Sequence, residues 1–173
     1  PGGVSATVGE LEVEEGSLGH CVWDAGIALS MFLAQPGLEI VRGQRVLELG
    51  TFTGYATACW AEGLTPEGTV DTVDVNDELH PIQDRHWNEL NIADRIRRHT
   101  GKAMDILSSG LLFGRDPRPL DVVFVDADKE HQQAYVDWAI DHVRDGGWIV
   151  VDNVLWWGEV LRVQDGTSQD PYA

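Results

Sequence analysis

The stretch VLELGTFTGY, residues 46–55, decides the fold. Val46 to Leu49 reads as a short buried strand, Glu48, Gly50 and Gly54 bracket a tight turn, and Tyr55 to Leu64 reads as a helix. A strand, a glycine turn and a helix form the opening unit of a nucleotide-type α/β site. The turn leaves free backbone N–H groups at the helix N-terminus, where an anionic ligand group can be received.

Downstream the same alternation continues. Strands are expected at 70–75, 96–99, 120–125 and 148–151, with helices over 77–90, 103–112 and 130–143 and a proline-containing loop at 114–119. Near-continuous apolar strands separated by helices predict an α/β fold with a mostly parallel, Rossmann-like sheet, helices on both faces and ligands at the C-terminal strand ends. Upstream, 1–19 reads as an extended arm or hairpin, and 20–35 as an opening helix ended by Pro36-Gly37. The expectation is one domain over 1–173, with a core at 45–160 and a polar tail at 161–173.

Composition narrows the partners. Hydrophobic residues make up 43% and charged residues 24%, which sets aside disordered and fibrous classes. A formal charge of −17 opposes nucleic-acid binding, which depends on clustered Lys and Arg, and disfavours an anionic membrane surface. No apolar run approaches the ~20 residues of a spanning helix, and no secretory core segment is found, so no membrane partner is expected. Cys21 and Cys59 fall in apolar segments and read as buried thiols in a reducing cytoplasm. Trp60, Trp87, Trp138 and Trp148 read as core.

The polar residues gather after the strands. Gly50, Gly54, Asp74, Gly101, Asp126, Asp152 and Asn153 all follow one, and turn chemistry alone explains any single member better than it explains the set. Asp74, 20 residues past Gly54, can accept hydrogen bonds from both hydroxyls of an adenosine ribose. Gly-x-x-x-Gly is not the Gly-x-Gly-x-x-Gly that a pyrophosphate prefers, which leans away from a dinucleotide. Asp126, Asp152 and Asn153 offer only oxygen, from adjacent strand ends, and suit a hard divalent ion, Mg²⁺, Mn²⁺ or Ca²⁺.

VLELGTFTGY, VDVN at 73–76, GKA at 101–103, VFVDADK at 123–129 and GGWIVVDNVLWWGEV at 146–160 together resemble the cation-dependent O-methyltransferases of the catechol and caffeoyl-CoA type. The resemblance spans roughly 45–160 and implies a class I methyltransferase fold, S-adenosyl-L-methionine as donor, a divalent cation and a small aromatic diol or phenol as acceptor. By position, Glu48, Gly50, Thr51, Thr53, Gly54 and Tyr55 would surround the methionine part. Asp74 would hold the ribose with Val75 beside it, and Gly101, Lys102 and Ala103 would line the adenine. Asp126 would touch donor and metal, with Asp152 and Asn153 completing the metal set. Lys129 matches the base position and needs metal and burial to depress its pKa. His131 is an alternative base. Tyr135 fits the pattern on the cofactor side, whereas Lys102 and Gln132 depart from the family's usual residues. Trp156 and Trp157 would wall the acceptor pocket.

Two stretches break the pattern. GHCVWDAGIALSMFL at 19–33 resembles the opening segment of the seven-strand protein-lysine methyltransferases, in which Trp23 and Asp24 would border the donor. The polar tail carries no strand pattern, so the sheet is expected to lack strands six and seven. Its edge would then be covered by the 4–13 arm or by a second copy in a homodimer. Metal-assisted methyl transfer to a catechol-like hydroxyl is the leading expectation. Protein-lysine methylation, or donor binding without turnover, stands as the alternative.

Overall fold

The computed structural model describes residues 44–154 together with Arg162 and Gly166. Five strands, β1 (Arg45–Leu49), β2 (Thr69–Asp74), β3 (Ile96–Thr100), β4 (Leu120–Val125) and β5 (Val143–Val151), form one sheet in the order β3-β2-β1-β4-β5. Every neighbouring pair is parallel. The strand order reverses direction at β1, so a crevice opens beyond the C-terminal ends of β1 and β4, where open α/β sheets bind ligands.

The helices lie on two faces, as the apolar strands require. Helices α1 (Tyr55–Gly63) and α2 (His80–Glu89) cover one. There Val46, Val70, Val122 and Phe124 pack with Trp60, Ala61 and Trp87. Helices α3 (Ala103–Ser108), α4 (Leu111–Arg115) and α5 (Gln132–His142) cover the other, where Leu47, Leu49, Val73, Val123 and Val125 meet Leu107, Leu112, Tyr135 and Ala139. Alternate residues of β1 therefore serve different cores, as the two-residue period of a strand demands.

Several boundaries move for identifiable reasons. Helix α2 begins at His80 rather than 77, because the Glu78 N–H donates to Asn76 Oδ1 (2.8 Å) and forms a side-chain turn first. The helix expected over 103–112 is two helices, broken at Gly110, whose φ is 72°. Helix α4 runs on to Arg115, inside the span read as loop. β5 begins at Val143 rather than 148, because Val143 already pairs with Leu120. An irregularity at Gly146-Gly147 then resets the register to Trp148 opposite Val122. Trp148, read as core, is 45% exposed, and Cys59 is only partly buried.

The opposite, N-terminal end of the sheet holds a buried charge the apolar pattern hides. Arg45 is fully buried. Its Nε and Nη2 each donate to Asp71 Oδ2 at 3.1 Å, and its remaining donors reach the carbonyls of Leu112, Asp116 and Arg118. A buried ion is tolerable only when it is paired and its donors are used, and here the fork is.

The opening helix, Cys21, the 4–13 arm and the 161–173 tail as a tail lie outside the described residues, so neither version of the edge cover is visible. Among the described residues no helix is long and apolar enough to cross a membrane.

Candidate active site

Backbone hydrogen bonds stitch the strand ends together beyond the sheet proper. Gly101 N–H donates to Asp74 O (2.8 Å), Gly50 N–H to Val73 O (2.9 Å), Asp126 N–H to Leu49 O (2.8 Å) and Asp152 N–H to Val125 O (3.0 Å). This ladder puts Gly50, Asp74, Gly101, Asp126 and Asp152 along one edge. The scattered set read from the sequence thus becomes one line of groups.

The loop after β1 is tightly built. Gly50 and Gly54 take φ of 102° and 78°, and Phe52 between them takes 46°, a region a side chain rarely enters. A Cβ on Gly50 would collide with the Asp126 carbonyl oxygen, so only glycine lets β1 turn this close to β4. Asp74 Oδ2 accepts the N–H groups of Thr51 (3.0 Å) and Phe52 (2.8 Å), while Oδ1 accepts that of Asn76 (2.9 Å). The carboxylate expected to hold a ribose therefore also shapes the loop. With about four acceptor directions it retains capacity for a further donor. Val75, beside it, is 68% exposed, and Phe52 and Tyr55 also show apolar surface. Thr53 lies in the turn, Ala103 is buried and Lys102 is exposed at the start of α3.

Glu48 sits fully buried beneath this loop. Its Oε2 accepts the hydroxyls of Thr57 and Thr72, the latter at 2.5 Å. Thr51, whose Oγ1 is 2.6 Å from that of Thr72, extends the cluster, so its hydroxyl is turned inward. Glu48 Oε1 has no hydrogen-bond partner among the described residues. Burial pushes the carboxyl up to about 8 against the two hydroxyl bonds, with the charges of Asp126 and Asp74 adding to the rise. Thr57 and Thr72 are hydrogen-bond partners of Glu48 that sequence reasoning missed. The available signal was a hydroxyl on the otherwise apolar inner faces of α1 and β2.

At the β4 and β5 ends, Lys129 Nζ lies 3.2 Å from Asp126 Oδ1. Burial raises the Asp126 carboxyl, the ammonium opposes that rise, and the charge of Asp152 adds to it. Asn153, with φ of 58°, donates its backbone N–H and Nδ2 to Asp152 Oδ1 at 2.5 and 3.2 Å. A carboxylate whose ionisation is made harder by its neighbour's charge, with an amide oxygen beside the pair, fits a hard divalent cation by donor type. Among the described residues no group of three or more His, Cys, Asp or Glu able to hold a metal occurs.

Asp128 was not singled out in the sequence, yet it organises the next turn. It accepts the Tyr135 hydroxyl, His131 Nδ1 (2.5 Å) and the His131 N–H (3.0 Å). Burial works against the charged form, but these bonds outweigh it and hold Asp128 below the ordinary carboxylate range. Burial and the same contact push the Tyr135 hydroxyl up. Tyr135 is 1% exposed and belongs to the core under α5, behind the site rather than open to it. His131 is engaged with Asp128, and Gln132 Nε2 donates to the Asp152 carbonyl (3.0 Å). Trp23, Asp24, Trp156 and Trp157 lie outside the described residues.

Comparison with known proteins agrees with this geometry. A family model described as O-methyltransferase matches residues 23–172. A catechol O-methyltransferase of Mycobacterium tuberculosis is 38% identical over 125 residues, covering 72% of this chain and 54% of that protein. A flavonoid 3',5'-methyltransferase of Vitis vinifera is 31% identical over 147 residues, covering 85% and 60%. Among solved structures, the O-methyltransferase from Bacillus cereus in complex with SAH superposes with a TM-score of 0.71 at 33% identity, covering 88% of this chain and 66% of that one. TomG from Streptomyces achromogenes, in complex with SAM, gives 0.70 at 32% identity, covering 84% and 61%. The chain spans between half and two thirds of the length of these relatives.

Proposed function

Because the chain belongs to the O-methyltransferase family, we propose that it transfers the methyl group of S-adenosylmethionine to a hydroxyl of a small phenolic acceptor with two neighbouring hydroxyls. The carrying observation is the alignment of Asp74, Asp126 and Asp152 along one sheet edge around the Gly50–Gly54 loop. The relatives named for catechol and flavonoid methylation, and the SAH and SAM in the related structures, supply the donor and acceptor classes.

In this reading Asp74 receives the ribose hydroxyls, and Val75 and Ala103 flank the adenine between the ends of β2 and β3. Glu48, whose Oε1 has no hydrogen-bond partner among the described residues, stands two residues before the loop that would take the methionine part, and a cationic amine brought near it would favour its ionised form. Asp126, Asp152 and the Asn153 amide oxygen would hold a divalent cation, which orients a diol and lowers the pKa of its hydroxyl. Lys129 Nζ stands next to Asp126; having first given a proton of its ammonium to solvent, it would as the neutral amine take the acceptor's proton. The oxygen then bonds the methyl carbon as the sulfur–methyl bond breaks, leaving S-adenosylhomocysteine. Most of the rate would come from holding oxygen, methyl and sulfur in line. We place the reaction in the cytoplasm, away from nucleic acid and membrane, on the charge balance and the two cysteines.

The test is transfer of labelled methyl from S-adenosylmethionine to a catechol panel, with Mg²⁺ and with EDTA. Transfer that needs the metal and is lost in Asp152→Ala supports the reading. Transfer that is indifferent to both sinks the metal site, and a folded chain that methylates no phenol sinks the acceptor.

A further inference from the structure

The Gly50–Gly54 loop is held from behind by groups that no proposed ligand touches. Gln83 and Trp87 are four residues apart on α2 and so share a face. Both are buried, at 1% and 3% exposure. Gln83 Nε2 donates to the Phe52 carbonyl (2.7 Å), and Trp87 Nε1 donates to the Gly54 carbonyl (3.1 Å). These carbonyls belong to two of the loop's left-handed residues. The indole also fixes residue identity, because a Cβ on Gly54 would lie 2.7 Å from Trp87 Cζ2.

Arg98, on the edge strand β3, braces both donors. Its Nη1 donates to Gln83 Oε1 (2.8 Å), its guanidinium lies 5.2 Å from the Trp87 ring centroid, and its Nη2 pairs with Asp84 at 2.5 Å. From the other side Asp74 takes the loop's N–H groups. The loop's carbonyls are thus gripped from α2 and its amides from β2.

We propose that Arg98, Gln83 and Trp87 are positioning residues that set the shape of the donor-binding loop from its rear, a reading that rests on the methyl-donor assignment for its consequence but not for its geometry. The relay runs from β3 through one amide to the Phe52 carbonyl. It helps hold a non-glycine residue at φ of 46° through bonds that the chain makes to itself, so the loop's shape rests on the protein's own contacts rather than on those of the donor.

The experiment compares the whole chain with Gln83→Glu and with Arg98→Gln in three measurements: melting temperature, amide hydrogen exchange of residues 50–55 without ligand, and calorimetric titration with S-adenosylhomocysteine. Gln83→Glu keeps the size and the acceptor for Arg98 but turns an oxygen toward the Phe52 carbonyl. The expected result is faster exchange confined to 50–55 and roughly 10-fold weaker binding, the scale of one lost hydrogen bond. Arg98 is partly exposed at the sheet edge, and Arg98→Gln is expected to shift both readouts in the same direction, by about threefold. Wild-type exchange at 50–55 in both variants overturns the proposal, as does faster exchange spread evenly over the sheet. A wild-type chain that does not bind S-adenosylhomocysteine overturns the donor assignment instead, and the ligand-free exchange still decides the relay.

Discussion

Replacing Glu48 by Gln removes an ionisable group from the floor of the site while keeping an acceptor for Thr57 and Thr72. Burial pushes the wild-type carboxyl up to about 8. Relative to its ordinary 4.5 that displacement is worth about 5 kcal/mol, at ~1.4 kcal/mol per tenfold change in proton affinity. The sign follows from the direction. The folded chain holds this proton more tightly than the unfolded chain, so the group's contribution is fully present below pH 4.5. It is lost as pH rises through about 8, where the folded form must also ionise. Urea unfolding of both proteins from pH 5 to 8.5 should show the wild type losing about 4 kcal/mol relative to Glu48→Gln across that interval. Parallel stability curves over the same range would refute the account, because they would mean Glu48 is ionised in the fold at no cost.

Two substitutions test the frame around the site. Gly54→Ala places a methyl group against Trp87 at a φ of 78° and should cost about 2–4 kcal/mol in urea unfolding, with S-adenosylhomocysteine binding falling in parallel. Arg45→Met leaves Asp71 buried with its main partner gone. A loss of about 3–5 kcal/mol is expected, whereas a loss under about 1 kcal/mol would mean the charge network is not needed for the fold.

The strand order follows from patterns that are local in the sequence. β4 is a nearly continuous apolar run, β1 and β2 carry valines and leucines among polar residues, and each strand is closed by Gly or Asp and buried on two faces. That made the sheet legible, and with it the line of Gly50, Asp74, Asp126 and Asp152 along the C-terminal strand ends. What escaped was set by tertiary partners. Arg45 reads as the polar boundary of a strand, and becomes core only because three distant carbonyls and Asp71 converge on it. Gln83 and Asp128 carry no local signal, since nothing nearby in the chain shows that Phe52 or Tyr135 will reach them. The early start of β5 was hidden because Arg144-Asp145-Gly146-Gly147 carries turn chemistry that the structure accommodates as an irregularity in pairing. Tyr135 matched a family position by spacing, and its burial under Asp128 emerges only when α5 is folded against the sheet.

The central claim is that the edge built by Gly50–Gly54 and Asp74 binds an adenosine-bearing methyl donor. Calorimetric titration of the whole chain and of Asp74→Ala with S-adenosylhomocysteine tests it most directly. The account predicts saturable binding at one site per chain, weakened at least about 10-fold in Asp74→Ala, where the ribose acceptor and the two loop bonds are lost together. Binding that is absent from the folded wild type, or equal in the two proteins, would contradict it.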